Sequence, residues 1–402
     1  MTDSATPGFL DRVRARMPWF DHVMRAQQRY NDSKGDFYAA GITYFTIFAM
    51  FPLLMVGFAA GGFVLAGRPE LLERIENRIK AVINGDLGQQ IVQLMDSAIA
   101  SRTSVGIIGL GAMGAGIAKT LRNNGFTIHV CDVRPGVADA FAAEGGTAHA
   151  TTAALAAVSD VVVSVVVNAA QTESVLFGDL GCAATLKAGS VFVMCSTVDP
   201  NWSVALEARL NALGLHYVDA PISGGAAKAA SGQMTMMTSA KPEAYAAAGA
   251  VLDGMAGKVY RLGDKAGAGS KVKIINQLLA GVHIAVAAEA MALGLREGVE
   301  ASALYEVITN SAGNSWMFEN RMAHVLAGDY TPLSAVNIFI KDLGIVLDAA
   351  RKLNAPLPLA AAAHQLYLGT AGAGFGAEDD SAVIKLYAAL TGITLPAKKD
   401  AA

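Results

Sequence analysis

The stretch SVGIIGLGAMGAGIAK, Ser104 to Lys119, sets Gly109, Gly111 and Gly114 in the order G-x-G-x-x-G between a strand-like apolar run and a helix-like one. Glycines at that spacing answer three physical needs: a tight turn, a backbone that a pyrophosphate can approach, and a helix that packs closely on its strand. The helix would turn its free N–H groups and positive dipole end towards an anion, with Ala112 and Met113 completing the loop. Taken alone the glycine pattern is weak, and its context is what makes it specific. The next apolar run, FTIHVCD, ends in Asp132, 23 residues beyond Gly109, where an acid can accept hydrogen bonds from the ribose hydroxyls of a dinucleotide. An acid there repels a 2′-phosphate and favours NAD. Arg134, two residues on, either weakens that preference or is a solvated charge.

The same texture continues downstream. SVGIIGL, FTIHVCD, DVVVSVVV, SVFVMCS and LHYVDAPI are continuous apolar runs bounded by turns, as expected of parallel strands covered on both faces. Alanine-rich helical patterns alternate with them. After Gly267 the strands stop and SKVKIINQLLAGVHIAVAAEAMALGLREG opens a run of helices. The expected fold is therefore an α/β Rossmann-type NAD-binding domain over residues 104–268, followed by an all-α domain over 269–397. A helical N-terminal segment, 1–103, precedes both.

That segment raises a different question. Residues 37–67 carry no charge for 31 residues, where about 20 apolar residues suffice to span a bilayer. The run reads as a transmembrane helix or, less simply, as a buried hairpin, and Pro52 would kink a span or divide it into two re-entrant arms. The chain after it, RPELLERIENRIKAVINGDLGQQIVQLMDSAIASR, has the spacing of an amphipathic helix pair. A net charge of −3, with 31 scattered lysines and arginines, offers no basic stripe for nucleic acid. Cys131, Cys182 and Cys195 show neither metal nor disulfide spacing and fit buried thiols in a reducing compartment.

Two further segments carry chemistry. DAPISGG, Asp219 to Gly225, ends a strand in a turn whose N–H groups can converge on a carboxylate, or which is an ordinary glycine-rich turn. Lys273 lies near the start of a helix with almost no polar face, with Asn276 and Gln277 beside it at i+3 and i+4. Desolvation lowers a lysine towards neutrality, so Lys273 could take the proton of an alcohol and return it; alternatively it snorkels to water from a helix end.

GLGAMG, DAPISGG, GSKVKIINQ and FIKDLG together resemble the motifs of the β-hydroxyacid (3-hydroxyisobutyrate) dehydrogenase family, over about residues 104–397. The resemblance implies NAD as cofactor, a small hydroxy acid as substrate, and a homodimer or higher homo-oligomer, with the helical domain 269–397 taking the substrate and pairing subunits. It implies Lys273 as acid/base, Ser223, Gly224 and Gly225 on the substrate carboxylate, and Asn276 and Gln277 positioning the substrate, although many members have asparagine where Gln277 stands. It places Val166, Val167 and Asn168 near the nicotinamide ribose, Thr197 on the nicotinamide side, and Lys341 reaching the cofactor. VVNAAQTESVLFG, APISGGAAKAASG, VITNSAGNSWMFENRM and EDDSAVIKLY match one branch, whose members oxidise L-threonate at carbon 2. In that branch Asn310, Ser311, Asn314 and Ser315 are expected either to read the distal hydroxyls or to cap helices, with Trp316 and Phe318 walling the pocket. Activities on 3-hydroxyisobutyrate or tartronate semialdehyde, or a membrane-tethered NAD-binding module without catalysis, are the alternatives; Lys273 speaks against the last. His283, His324 and His364 lack metal-ligand spacing, so no metal is expected. Residues up to about Arg102 resemble the start of the YihY/BrkB family of inner-membrane proteins. The resemblance implies a start in the cytoplasm, from which a single crossing would carry the dehydrogenase part away from its cofactor. A cytoplasmic catalytic part tethered to the inner membrane through 37–67 is expected instead, with the run returning at Pro52 or inserting the other way, unless 1–103 is a fusion remnant.

Overall fold

The computed structural model describes residues 17–34 and 103–398. In the first stretch a single helix, α1 (Pro18–Asp32), opens on a proline whose missing N–H costs nothing at that position. Asp21 in its first turn and Arg29 in its last complement the helix dipole. The transmembrane expectation for 37–67, and the amphipathic pair after it, lie outside the described residues.

Residues 103–398 begin with a parallel sheet. Its strands are β1 (Ser104–Ile108), β2 (Thr127–Cys131), β3 (Thr147–Ala148), β4 (Val161–Ser164), β5 (Val191–Met194) and β6 (His216–Asp219). They lie in the order β3-β2-β1-β4-β5-β6 with every neighbouring pair parallel. The crossovers carry α2 (Gly114–Asn123), α3 (Val137–Ala143), α4 (Thr152–Ala156), α5 (Ala169–Phe177) and α6 (Pro200–Ala212). Because helices cover both faces, successive strand residues must all be apolar. Val105, Ile107, Val130, Val163 and Val193 pack on one face with Ile117 and Leu121 of α2. Val162, Phe192 and Met194 pack on the other with Leu155, Leu176, Leu206 and Leu210. The strand order reverses between β1 and β4, and that reversal opens a crevice at the carboxyl ends of the strands where folds of this type take a dinucleotide.

The run LHYVDAPI does not form one strand. β6 stops at Asp219 and a short β7 (Ile222–Ser223) follows, then α7 (Gly225–Ala230), β8 (Thr235–Ala240), α8 (Pro242–Met255) and β9 (Lys258–Arg261). β8 runs antiparallel to both β6 and β7, and β9 parallel to β8. β8 and β9 carry no clear strand signal in the sequence: TMMTSA and KVYR mix polar with apolar side chains and lack the aliphatic continuity of the central strands.

From Ala268 the chain is helical: α9 (Ala268–Arg296), α10 (Ala301–Thr309), α11 (Trp316–Ala327), α12 (Val336–Lys352), α13 (Pro358–Thr370) and α14 (Val383–Thr391). A π-helical turn, Ala371–Phe375, and a 3-10 turn, Asp380–Ala382, link the last two. α9 is, among the described residues, the one helix long and apolar enough to cross a membrane. Here it is the spine of a globular core: Ile284, Ala288 and Met291 are buried with Phe339, Leu343, Tyr367 and Ile384. Gly281 permits that closeness, since a Cβ there would meet Phe339 and Leu343 at 3.0 to 3.1 Å.

Candidate active site

The glycine loop is constrained from two sides. Gly109 has φ of +91°, and a Cβ on it would lie 2.8 Å from the Val165 carbonyl; one on Gly114 would lie 1.8 Å from the Gly109 carbonyl. Chain packing therefore demands glycine at both. At Gly111 no protein atom lies within 4 Å of the built Cβ, so its bareness opens the loop outward, where a pyrophosphate needs to approach. Ala112 is exposed beside it, and Met113 turns back onto the core at the head of α2.

Asp132 closes this loop from the end of β2. Its Oδ2 accepts the Leu110 N–H at 2.7 Å and Arg134 Nη2 at 2.9 Å, while Oδ1 accepts Arg134 N and Nε, both at 2.9 Å. The Arg134 guanidinium outweighs the cost of burial and, with the backbone N–H groups, holds the Asp132 carboxyl at about 2. Asp132 is thus an ionised acceptor at the ribose position of the fold, and Arg134, exposed, folds back over it. After β4, the Val167 N–H donates to Gln171 Oε1 at 2.7 Å and Asn168 caps α5 by accepting the Gln171 N–H. Ser196 Oγ donates to the Val166 carbonyl at 2.7 Å, which brings the loops after β4 and β5, including Thr197, side by side. These residues could hold the dinucleotide along the crevice.

Asp219 fixes the start of α9. Its carboxylate accepts Ser270 Oγ at 2.6 Å, the N–H groups of Gly267 and Ser270 at 2.9 Å, and Ser239 Oγ at 3.2 Å. Burial pushes its carboxyl up against those hydrogen bonds. The bonds leave the helix N-terminus seated on β6 and β8, and the next side chain on that face is Lys273. Lys273 is 7% exposed, and its Nζ donates to the Ile222 carbonyl at 2.8 Å. That carbonyl immediately precedes Ser223, so the lysine ends at the predicted carboxylate turn. Gly224 and Gly225 have φ of +131° and +76°, a backbone path that L side chains resist. Burial pulls Lys273 down to about 8, with Asp342 opposing and Lys341 assisting. A lysine at that value exchanges a proton near neutrality.

The other helix-face residues form one chain of contacts. Asn276 Nδ2 donates to Gln277 Oε1 at 3.0 Å, and Gln277 Nε2 donates to the Asp342 carboxylate. Lys341 Nζ lies 2.7 Å from Asp342 Oδ1, not aligned as a hydrogen bond, and donates to the Thr197 carbonyl at 3.2 Å. Predicted residues from the loop after β5, from α9 and from α12 are thereby tied together. Asp342 was not singled out from the sequence, although it lies inside FIKDLG; a carboxylate on a helix face otherwise lined by Phe339, Leu343 and Val346 was the available signal.

The polar cluster before α11 is engaged locally. Asn310 Nδ2 donates to the Glu306 carbonyl, Ser311 Oγ to Val307, and Asn314 Nδ2 to Thr309, while Ser315 Oγ accepts the Phe318 N–H. Phe318 is in the helical core. Of the expected pocket wall, Trp316 is the exposed member. Among the described residues no group of three metal-ligating side chains occurs. The three cysteines are free and buried, and burial pushes Cys182 and Cys195 up to about 12, as inert thiols require.

A reversed-order parallel sheet with an open glycine loop, joined to a helix that carries a near-neutral lysine, is the framework of a dinucleotide-dependent dehydrogenase. A family model described as the NAD binding domain of 6-phosphogluconate dehydrogenase matches residues 104–263, and one described as NAD-binding of NADP-dependent 3-hydroxyisobutyrate dehydrogenase matches residues 267–387. The L-threonate dehydrogenase of Cupriavidus necator is 61% identical over 74% of this chain and 99% of its own length. That of Pectobacterium atrosepticum is 51% identical over 74% and 97%. The crystal structure of a 3-hydroxyisobutyrate dehydrogenase from Salmonella typhimurium, 50% identical, superposes with a TM-score of 0.68 over 71% of this chain and 99% of that one. The chain belongs to the 3-hydroxyisobutyrate dehydrogenase family of NAD-dependent hydroxyacid dehydrogenases. Neither family model reaches residues 1–103, and the resemblance of that segment to YihY/BrkB proteins gains no support from these matches.

Proposed function

We propose that the protein oxidises L-threonate at carbon 2 to 2-dehydro-L-erythronate. The observation that carries the reading is Lys273, buried, lowered to about 8 and held by the carbonyl next to the Ser223–Gly225 turn; the naming of its relatives supplies the substrate. The substrate carboxylate lies on that turn and its 2-hydroxyl faces Lys273 Nζ. NAD, when bound, takes up the hydride leaving carbon 2. Neutral Lys273 accepts the hydroxyl proton as the carbonyl forms, and in the reverse direction its ammonium returns one. Asn276 and Gln277 orient the acid from the helix face, Gln277 being itself oriented by Asp342. Gly109, Gly111, Ala112, Met113, Gly114, Asp132 and Arg134 bind the pyrophosphate and adenosine side; Val167, Asn168, Thr197 and Lys341 bind the nicotinamide side.

The Salmonella structure favours a second reading, 3-hydroxyisobutyrate as substrate. Initial rates of the purified protein on L-threonate, D-threonate, D-erythronate, glycerate and 3-hydroxyisobutyrate, with NAD and with NADP, decide between them. L-threonate with NAD is expected to give the highest kcat/KM, and preference for 3-hydroxyisobutyrate overturns the assignment.

The same reading divides the catalytic part at about residue 268 and makes it a homo-oligomer. Val272, Leu279, Val286 and Leu293 recur every seventh residue along α9 and stay exposed, an apolar stripe that a second copy would cover. Catalysis is placed in the cytoplasm with its cofactor. Membrane attachment through 37–67 is a separate proposal resting on that run's lack of charge, and fractionation of the full chain against residues 104–402 tests it.

A further inference from the structure

Lys228 stands one helical turn beyond the Ser223–Gly225 turn, on α7. A Cβ on Gly224 would lie 3.0 Å from both Cβ and Cδ of Lys228, so the lysine stem runs directly along the turn. Its head reaches the other half of the molecule: Nζ lies 5.7 Å from the centroid of the Trp316 ring, a separation at which an aromatic face holds an ammonium. Trp316 is the first residue of α11 and is 51% exposed. Lys228 and Trp316 therefore join the turn on the nucleotide side to the wall on the helical side.

The charge balance shows what such a lysine supplies. A carboxylate leaving water needs a compensating charge, and N–H groups of a turn offer only dipoles. Lys341 is paired with Asp342. Lys273 must be neutral when it accepts the substrate proton. Lys228 makes no ion pair among the described residues, and it lies beside the turn. We propose that Lys228 is a specificity residue: it provides the cation that recognises the carboxylate of the hydroxy acid, and Trp316 holds it in place. This rests on the hydroxy-acid reading above and extends it, because it makes the preference for acids over neutral polyols depend on a side chain outside the turn itself.

The test is steady-state kinetics of the full chain, wild type against Lys228→Met, Lys228→Arg and Trp316→Leu, varying the acid and NAD separately. Lys228→Met is expected to raise KM for the acid about tenfold, with a smaller fall in kcat and an unchanged KM for NAD, and to flatten the rise of KM with ionic strength. Lys228→Arg should recover most of the loss, and Trp316→Leu should fall between. An unchanged KM for the acid in Lys228→Met, or an effect confined to NAD or kcat, overturns the role of Lys228 while the hydroxy-acid reading stands. A wild type that turns over no hydroxy acid overturns both.

Discussion

Two ionic clusters are buried in the helical half, and they are finished differently. Around Arg321 every charge is met. Its Nε and Nη2 bind Asp380 and its Nη1 binds Asn320, while Asp379 accepts His324 Nδ1, the Leu333 and Ser381 N–H groups and Ser381 Oγ. Burial raises Asp380 to about 6 even against Arg321; it also works to raise Asp379, but His324 and Ser381 bring that carboxyl to about 2. The result clamps the 3-10 turn at Asp380 onto α11. Around Lys273 the cluster is left open. The lysine, capable of three hydrogen bonds, makes one to Ile222 among the described residues, and the nearby Asp342 is shared with Lys341 and Gln277. A closed cluster immobilises, whereas an open one keeps a proton acceptor available; the contrast separates an arginine that holds structure from the lysine proposed as acid/base, at similar burial.

The substitution with the largest expected effect removes the open lysine. Lys273→Met should lower turnover about 10²- to 10⁴-fold, with NAD still bound and the melting temperature within a few degrees of wild type; near-normal turnover would erase the distinction. Arg321→Ala should do the reverse, costing about 3–5 kcal/mol in chemical denaturation because Asp380 is left buried and unpaired, while kcat/KM of the folded fraction holds. A loss of activity without loss of stability would make both clusters catalytic. Smaller is the expected effect of Ser315→Ala, about 1 kcal/mol from the lost helix cap. If KM for the acid also rises in that variant, Ser315 touches substrate as well as capping α11. Smallest in amplitude is Asp342→Asn. Asp342 favours the ammonium form of Lys273, so its neutralisation should move the rate-controlling ionisation of Lys273 to lower pH, seen as a displaced limb in kcat/KM; an unmoved limb would separate Asp342 from Lys273.

The parts of this site differed in how openly the sequence announced them. Gly109, Gly111, Gly114 and Asp132 lie within 24 residues, and their roles follow from local backbone needs, so the loop was legible from spacing and the flanking apolar runs. Lys273 stood out as a charge on an oily helix, but its contact with Ile222 depends on Asp219 seating α9 against β6, a pairing 51 residues apart for Ser270 that no periodicity reveals. Asp342 and the Lys228–Trp316 contact come from segments separated still more widely. β8 was missed because buried Thr238 and Ser239 interrupt its aliphatic signature, and β9 because Lys258, Tyr260 and Arg261 face outward. For Asn310, Ser311, Asn314 and Ser315 the residue types left hydroxyl reading and helix capping equally open, and each bonds to its own neighbouring backbone, the ordinary use of these side chains at helix ends.

The most direct test of Lys273 as the acid/base is the pH dependence of kcat/KM for oxidation of the acid by NAD. Lowered to about 8, Lys273 is mostly an ammonium below that pH and mostly a neutral acceptor above it. The rate should therefore climb with pH to about 8 and then level, and the limb should vanish together with most of the activity in Lys273→Met. A profile that is flat across this range in the wild type, or a limb that survives in the variant at the same pH, would contradict the assignment.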